Sequence, residues 1–254
     1  MLDANSLQSI KEKAHSDLPR KITIIKREPV TTMAYMMVAG KNPPTRYKSV
    51  RIEETRNSKL IGILFAHPKS NLAKSEIIGH LNHFHIRSGE AVDFFCAGYG
   101  AYWPENHFAD QTPVTQIEGI NWLFSDEAFC NMIDDLEAET NWQYSGETEL
   151  LLVSAEKQTS GDIILNYSDS IVCNLEAMAK DNAFTSVRSF FAGIFSYAKS
   201  HSDSNPTWAM SDKSGLAIGK SAIKDAILSL LPSTLKGSYL KAEHYAVRNL
   251  SNKC

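Results

Sequence analysis

The sequence predicts a mixed α/β fold, and three stretches carry that prediction. Residues 59–66, KLIGILFA, form a near-continuous apolar run ending at His67-Pro68, the pattern of a strand covered on both faces as in a parallel sheet. Residues 91–97, AVDFFCA, repeat the pattern and close on Gly98-Tyr99-Gly100, with a helical stretch from about residue 71 to 86 between the two runs. Residues 149–155 and 162–167 read as two more strands, joined by EKQTSG, whose length and glycine fit a hairpin.

The other elements follow in order. Residues 4–15 read as a short helix, and 22–26, 31–38 and 47–53 as strands, the last after the turn Gly40-Lys41-Asn42-Pro43-Pro44. An irregular aromatic stretch, AYWPENHFADQTPV, follows Gly100. Ser125 suits an N-cap for a helix to about residue 140, with Asp126 and Glu127 in the first turn, where the helix dipole favours negative charge. Residues 175–200 read as one long helix burying Met178, Phe184, Val187, Phe191, Ile194 and Phe195 on a broad stripe. After the polar break SHSDSNP, a last helix near 218–231 stops at Pro232. The expected organisation is a helix and β-meander extension over 1–58, an α/β core over 59–204, and a C-terminal helix and tail over 205–254, packed as one compact domain.

From Lys59 to Ser200 the order is strand, helix, strand, helix, strand, strand, helix, with the last two strands antiparallel. That order resembles the thioredoxin-like fold over a little more than half the chain. Where a catalytic member carries CxxC this chain has Pro68-Lys69-Ser70-Asn71, and Ser145-Gly146-Glu147-Thr148 holds no proline where members place a cis-proline. The resemblance thus implies a β-α-β-α-β-β-α core around a mixed central sheet, used as a scaffold or for a reaction other than disulfide chemistry.

At 43% hydrophobic and 22% charged, the 254 residues have the composition of an ordinary globular protein, with no internal repeat. The first twenty residues lack the apolar core of a signal peptide, and no stretch approaches the roughly 18 apolar residues of a membrane span, so a cytoplasmic protein without membrane contact is expected. Cys96, Cys130, Cys173 and Cys254 offer neither a CxxC pair nor zinc-ribbon spacing, and Cys254 is not placed for prenylation.

The net charge of −3 hides a segregation. Residues 1–89 hold 15 Lys+Arg and 7 Asp+Glu, residues 90–182 hold 2 and 18, and residues 183–254 hold 9 and 4. The middle segment repels nucleic acid and anionic membrane. Either the basic and acidic segments fold together and cancel, or the acidic surface docks a basic protein. Asp126, Glu127, Asp134, Asp135, Glu137 and Glu139 would form that docking face; a divalent ion there is disfavoured, because Asp134 with Glu137 reads as an exposed helical pair. The basic residues Lys21, Lys26, Arg27, Lys41, Arg46, Lys48, Arg51 and Arg56 alternate with strand residues and lack clustered aromatics, which weighs against nucleic acid.

Three histidines in GHLNHFH raise the question of a metal. On a regular helix Glu76, His80 and His83 share one face and His85 lies opposite, so the three histidines cannot hold one ion; Glu76, His80 and His83 could with a further ligand from elsewhere, but polar-face histidines are the plainer reading, and no metal or cofactor is assigned. The ligand site expected from topology lies at the carboxyl ends of the parallel strands. There Lys69, Ser70 and Asn71 could hold an anion; Gly98 and Gly100 would allow close approach, and Tyr99, Tyr102 and Trp103 could wall a pocket. His67 could act as acid or base and Cys96 as nucleophile, with no third group in view. The plainer alternative is that Ser70 or Asn71 caps a helix and the aromatics pack the loop. Ser214 to Ser221, ending in GKS, imitates a phosphate-binding loop but begins with Ser and leaves too little chain after it. The leading expectation is a non-catalytic accessory or interaction component of a cytoplasmic complex, binding a protein partner or its own copy. The alternative is an enzyme or sensor for a small anionic or nucleotide-like ligand at the strand ends.

Overall fold

The computed structural model describes residues 6–30, 46–88, 92–204 and 245–252. The expected strand at 31–38, the turn at 40–44, the last helix and the GKS segment lie outside those residues. Helix α1 (Leu7–Asp17) starts at Ser6, whose hydroxyl accepts the Ser9 N–H in a reciprocal cap, and it buries Leu7, Ile10 and Ala14 at helical spacing. Strands β1 (Arg20–Val30) and β2 (Arg46–Arg56) pair antiparallel over their whole length as a separate two-stranded ribbon. The chain then passes through Asn57 into β3 (Ser58–Phe65).

Residues 71–88 are helical but not regularly so. A π-turn at Ala73–Ile77 and a 3-10 turn at Ile78–His80 precede α2 (Leu81–Ser88). The reason lies in the spacing of the buried residues Ala73, Ile77 and Leu81. A repeat of four drifts by about 40° per step on an α-helix of 3.6 residues per turn, and a wider turn absorbs the drift.

Strand β4 (Val92–Cys96) leads through a tight turn into β5 (Tyr99–Gly100). Strands β6 (Thr112–Ile117) and β7 (Ile120–Phe124), to which the sequence reading gave no place, form with β5 a small sheet in the order β5-β7-β6. Their connection, Glu118-Gly119, has φ of 51° and 80°, the two positive values that a two-residue hairpin turn requires.

Helix α3 (Asp126–Glu139) begins at the expected cap, Ser125, which accepts the Ala128 N–H. Strands β8 (Glu149–Lys157) and β9 (Ile163–Asn174) form the expected hairpin, and β9 runs seven residues past the expected end at 167 because a bulge opposite Val153 lets it resume pairing at Ile171. The single helix expected at 175–200 is two, α4 (Leu175–Lys180) and α5 (Val187–Ser204). Asn182, at φ 54°, ends the first in the left-handed conformation, and the Ser186 hydroxyl accepts the Ser189 N–H to start the second. Strand β10 (Tyr245–Arg248) pairs with β9.

The main sheet runs β10-β9-β8-β3-β4, with β3 parallel to β4 and the other pairs antiparallel. Gly62 and Phe94 are register partners on one face, where Phe94 packs with Phe84 of α2 and with Phe191 and Phe195 of α5. Ile61, Ile63 and Phe65 point the other way, and Phe65 meets Phe129 of α3. Burying each such ring stabilises the fold by about 2–3 kcal/mol. The result is a sheet between two helical layers, which explains why β3 and β4 are buried along nearly their whole length and apolar except for Ser58, Lys59 and Asp93 at their starts. Among the described residues, no helix is long and apolar enough to cross a membrane.

Candidate functional site

β3 and β4 lie side by side and point the same way, with Leu60 to Leu64 against Val92 to Cys96. Their carboxyl ends therefore bring the stretch after Phe65 next to the stretch after Cys96, and the Ala97 N–H continues the ladder by donating to the Leu64 carbonyl at 2.9 Å.

His67 is the most constrained residue there. Its ring sits edge-on to Phe124 and Phe129, with centroids 5.1 and 5.4 Å away. The Lys69 backbone N–H donates to Nδ1 at 3.1 Å, and Nε2 lies 2.7 Å from Asp126 Oδ1. An Nδ1 that accepts leaves the proton on Nε2, so Nε2–H donates to the carboxylate. Both ring nitrogens are thereby committed. Lys69 reaches outward, its side chain 82% exposed and its Nζ 4.0 Å from Asp126 Oδ2.

The Ser70 hydroxyl accepts the Ala73 N–H at 3.0 Å, and its oxygen lies 3.1 Å from Thr148 Oγ1. Thr148 in turn donates to Glu176 Oε1 at 2.9 Å, so the proton between Ser70 and Thr148 belongs to Ser70. This chain fastens the end of β3 to β8 and α4. Asn71 is exposed, and its carbonyl accepts the Ser75 hydroxyl at 2.9 Å.

Cys96 is fully buried, and burial pushes its thiol far above the ordinary range, which removes the thiolate a nucleophile needs. Tyr99 is buried as well; its hydroxyl donates to the Ala66 carbonyl at 2.7 Å, and burial, with Cys96 beside it, pushes the phenol up. Tyr102 stands 74% exposed. Trp103 lies over Gly100 so closely that a Cβ there would come within 2.1 Å of the indole. Gly98, at φ 77°, likewise makes room for Phe124 and Phe129. The close approach these glycines permit is taken up by the protein's own rings. The buried Trp103 indole N–H has no hydrogen-bond partner among the described residues.

The acidic residues of α3 divide into two groups. Asp135 accepts the Leu7 N–H at 3.2 Å and so holds the start of α1; Glu137 accepts the Tyr144 N–H at 2.9 Å; Glu139 pairs with Lys11 at 2.5 Å and accepts the Tyr167 hydroxyl at 3.2 Å. Asp126 is held by His67. Glu127 and Asp134 are exposed, with no side-chain partner among the described residues. Beside them, Asp110 accepts the Ser125 hydroxyl at 2.6 Å and the Glu127 N–H at 2.9 Å; despite some burial these bonds hold its carboxyl below the ordinary value. Burial, and then Asp126, Asp134 and Asp110, raise the exposed Cys130 thiol. Ion pairs joining residues 1–89 to residues 90–182 are, among the described residues, Lys11 with Glu139, Lys59 with Asp93, Lys69 with Asp126 and the His67 pair. Among the described residues these pairs engage Glu139, Asp93 and Asp126 of the acidic segment.

Glu76 and His83, expected on one face with His80, both turn to the start of α5. Glu76 Oε2 accepts the Val187 N–H and His83 Nε2 accepts from Arg188 Nε, each at 3.3 Å, while the His80 ring packs edge-on to Phe84. Among the described residues no three His, Cys, Asp or Glu side chains are placed to hold a metal ion. Sequence reasoning missed Asp126 as the partner of His67, since 59 residues separate them, and missed Thr148 and Glu176 for the same reason.

No family model, curated protein or solved structure matches this chain.

Proposed function

We propose that this protein acts by binding, as a non-catalytic accessory or interaction component in the cytoplasm, through the acidic face of α3. The observation that carries the reading is the state of His67. A general base needs a nitrogen free to take a proton, and here one nitrogen accepts a backbone N–H and the other is given to Asp126. The buried Cys96 thiol and the internally bonded Ser70 and Tyr99 hydroxyls support it. Glu127 and Asp134 supply what a basic partner would meet, since they are exposed and Asp110 is held beside them by the Glu127 N–H. A thioredoxin-like core serving as scaffold is consistent with the parallel β3–β4 pair beside the antiparallel β8–β9 hairpin. The exposed Lys69 ammonium at the end of β3 favours a second reading, a small anionic ligand held there.

One comparison separates the two. Untagged protein recovered at native levels from its host is read for companions and bound small molecules. Glu127→Lys with Asp134→Lys is expected to strip the companions, and Lys69→Ala to leave them. Loss on Lys69→Ala with retention in the double variant would instead select the ligand reading.

A further inference from the structure

The charge of the N-terminal segment is concentrated on the β1–β2 ribbon. Its 22 residues carry eight Lys+Arg against three Glu. Each strand has 11 residues, so at about 3.4 Å per residue the ribbon is about 35 Å long, close to one turn of duplex DNA. β1 rests against α5, whereas β2, among the described residues, has β1 as its only sheet neighbour.

Pairing in register changes what alternation means. Along one strand, residues two apart share a face; across two paired strands, directly opposite residues do. The pairs Lys21 with Thr55, Ile25 with Arg51 and Pro29 with Tyr47 fall on one face. Every residue of that face whose side chain is described, Lys21, Tyr47, Ser49, Arg51, Glu53 and Thr55, is exposed, whereas Val50 and Ile52 on the other face are half-buried. Tyr47, Arg51 and Lys21 thus stand along the outward face at steps of about 14 Å, and Tyr47 is 62% exposed. Lys48 is exposed near the far end on the other face, with the exposed Glu28 as its register partner, so it flanks the ribbon and does not extend the outward row. Lys21, Lys48 and Arg51 make no ion pair among the described residues, although an acidic surface exists elsewhere on the same molecule.

We propose that the β1–β2 ribbon is a DNA-binding arm that lies along a groove of duplex DNA, with Lys21, Lys48 and Arg51 on phosphates. The major groove of B-form DNA, about 12 Å wide, admits a two-stranded ribbon, whereas the deep, narrow groove of duplex RNA does not. The acidic face of α3 opposes wrapping, so contact is confined to the arm.

Fluorescence anisotropy of the full chain on a labelled duplex of about three helical turns tests this. Three phosphate contacts predict binding at about 50 mM salt that weakens about 40-fold by 200 mM. Lys21→Ser/Lys48→Ser/Arg51→Ser is expected to lose binding more than tenfold and flatten the salt dependence, while Lys74→Ser, an exposed cation outside the arm, leaves both unchanged. If the triple variant fails to fold, Arg51→Ser alone must reduce the salt slope by about a third. Absence of binding at low salt, binding indifferent to these substitutions, equal binding to duplex RNA, or binding to anionic vesicles in place of DNA would each overturn the proposal. None of these outcomes touches the acidic-face reading, which is tested on other residues.

Discussion

His67 illustrates how one side chain can look chemical in sequence and structural in place. A histidine at the end of a parallel strand, followed by Pro-Lys-Ser, is what a ligand site would offer. Its ring is instead a wedge between Phe124 and Phe129, fixed by Asp126 and by the Lys69 N–H. His67→Ala should lower stability by about 2–3 kcal/mol in urea unfolding, because ring packing and two hydrogen bonds go together. Asp126→Asn keeps an acceptor oxygen at the same place and should cost under about 1 kcal/mol. Equal losses in the two variants would mean that the charge on Asp126, not the ring, holds this corner. Cys96, offered as a nucleophile from its place at the strand end, lies in the apolar stretch Phe94-Phe95-Cys96-Ala97, which already marked it as a core position. What the sequence could not supply is the identity of the contacts, since Asp126 lies 59 residues away and reads locally as a first-turn acid.

At the scale of elements, helix α3 was legible to the residue and the helix before it was not. Ser125 has the signature of a cap, and it acts as one while also donating to Asp110 and giving its N–H to the Gly98 carbonyl. Ser125→Ala should therefore cost about 2 kcal/mol, the upper end for a cap, read as a shift in the midpoint of chemical unfolding. A loss of a few tenths would mean that Asp110 alone caps the helix. The irregular helix at 71–88 carried a signal that a fixed 100° projection hides: from Ala73 through Ile77 to Leu81 its buried residues recur every four positions. The split between α4 and α5 carried one too, in Asp181-Asn182 and Ser186, which the continuous apolar stripe overrode. Strands β6 and β7 were missed because β6 is largely exposed and has little apolar periodicity, and what defines the pair is the Glu118-Gly119 turn.

The molecule as a whole is joined at the end of the sheet opposite His67 by a chain of charges. Lys59 on β3 is buried and lies 2.7 Å from both Asp93 on β4 and Asp17 on α1, which Lys13 also engages. Burial raises the Asp93 carboxyl in spite of Lys59. Asp17, against the opposing effect of its own burial, is brought down to about 2 by hydrogen bonds from Lys13 and Lys59. A carboxyl held below its ordinary value contributes stability that is present above about pH 4 and lost as pH falls toward 2. Lys59→Met should cost about 3–5 kcal/mol at neutral pH, because it strands the Asp93 charge in the interior. That deficit should shrink as pH falls toward 4, where the variant relieves the stranded charge by protonating Asp93, and further from 4 toward 2, where the native protein loses the Asp17 contribution. Thermal unfolding of both proteins across that range checks this, and a deficit that is constant with pH would assign the loss to packing alone.

The sequence by itself determined the apolar runs that become the buried strands, the cap of α3, the β8–β9 hairpin and the segregation of charge, because each of these is set by residues near one another in the chain. Only the tertiary structure decided which groups are spent. His67 with Asp126, Ser70 with Thr148 and Glu176, and Lys59 with Asp93 are joined across tens of residues, and whether a polar group is free to act or already held depends on what the folded sheet brings to it.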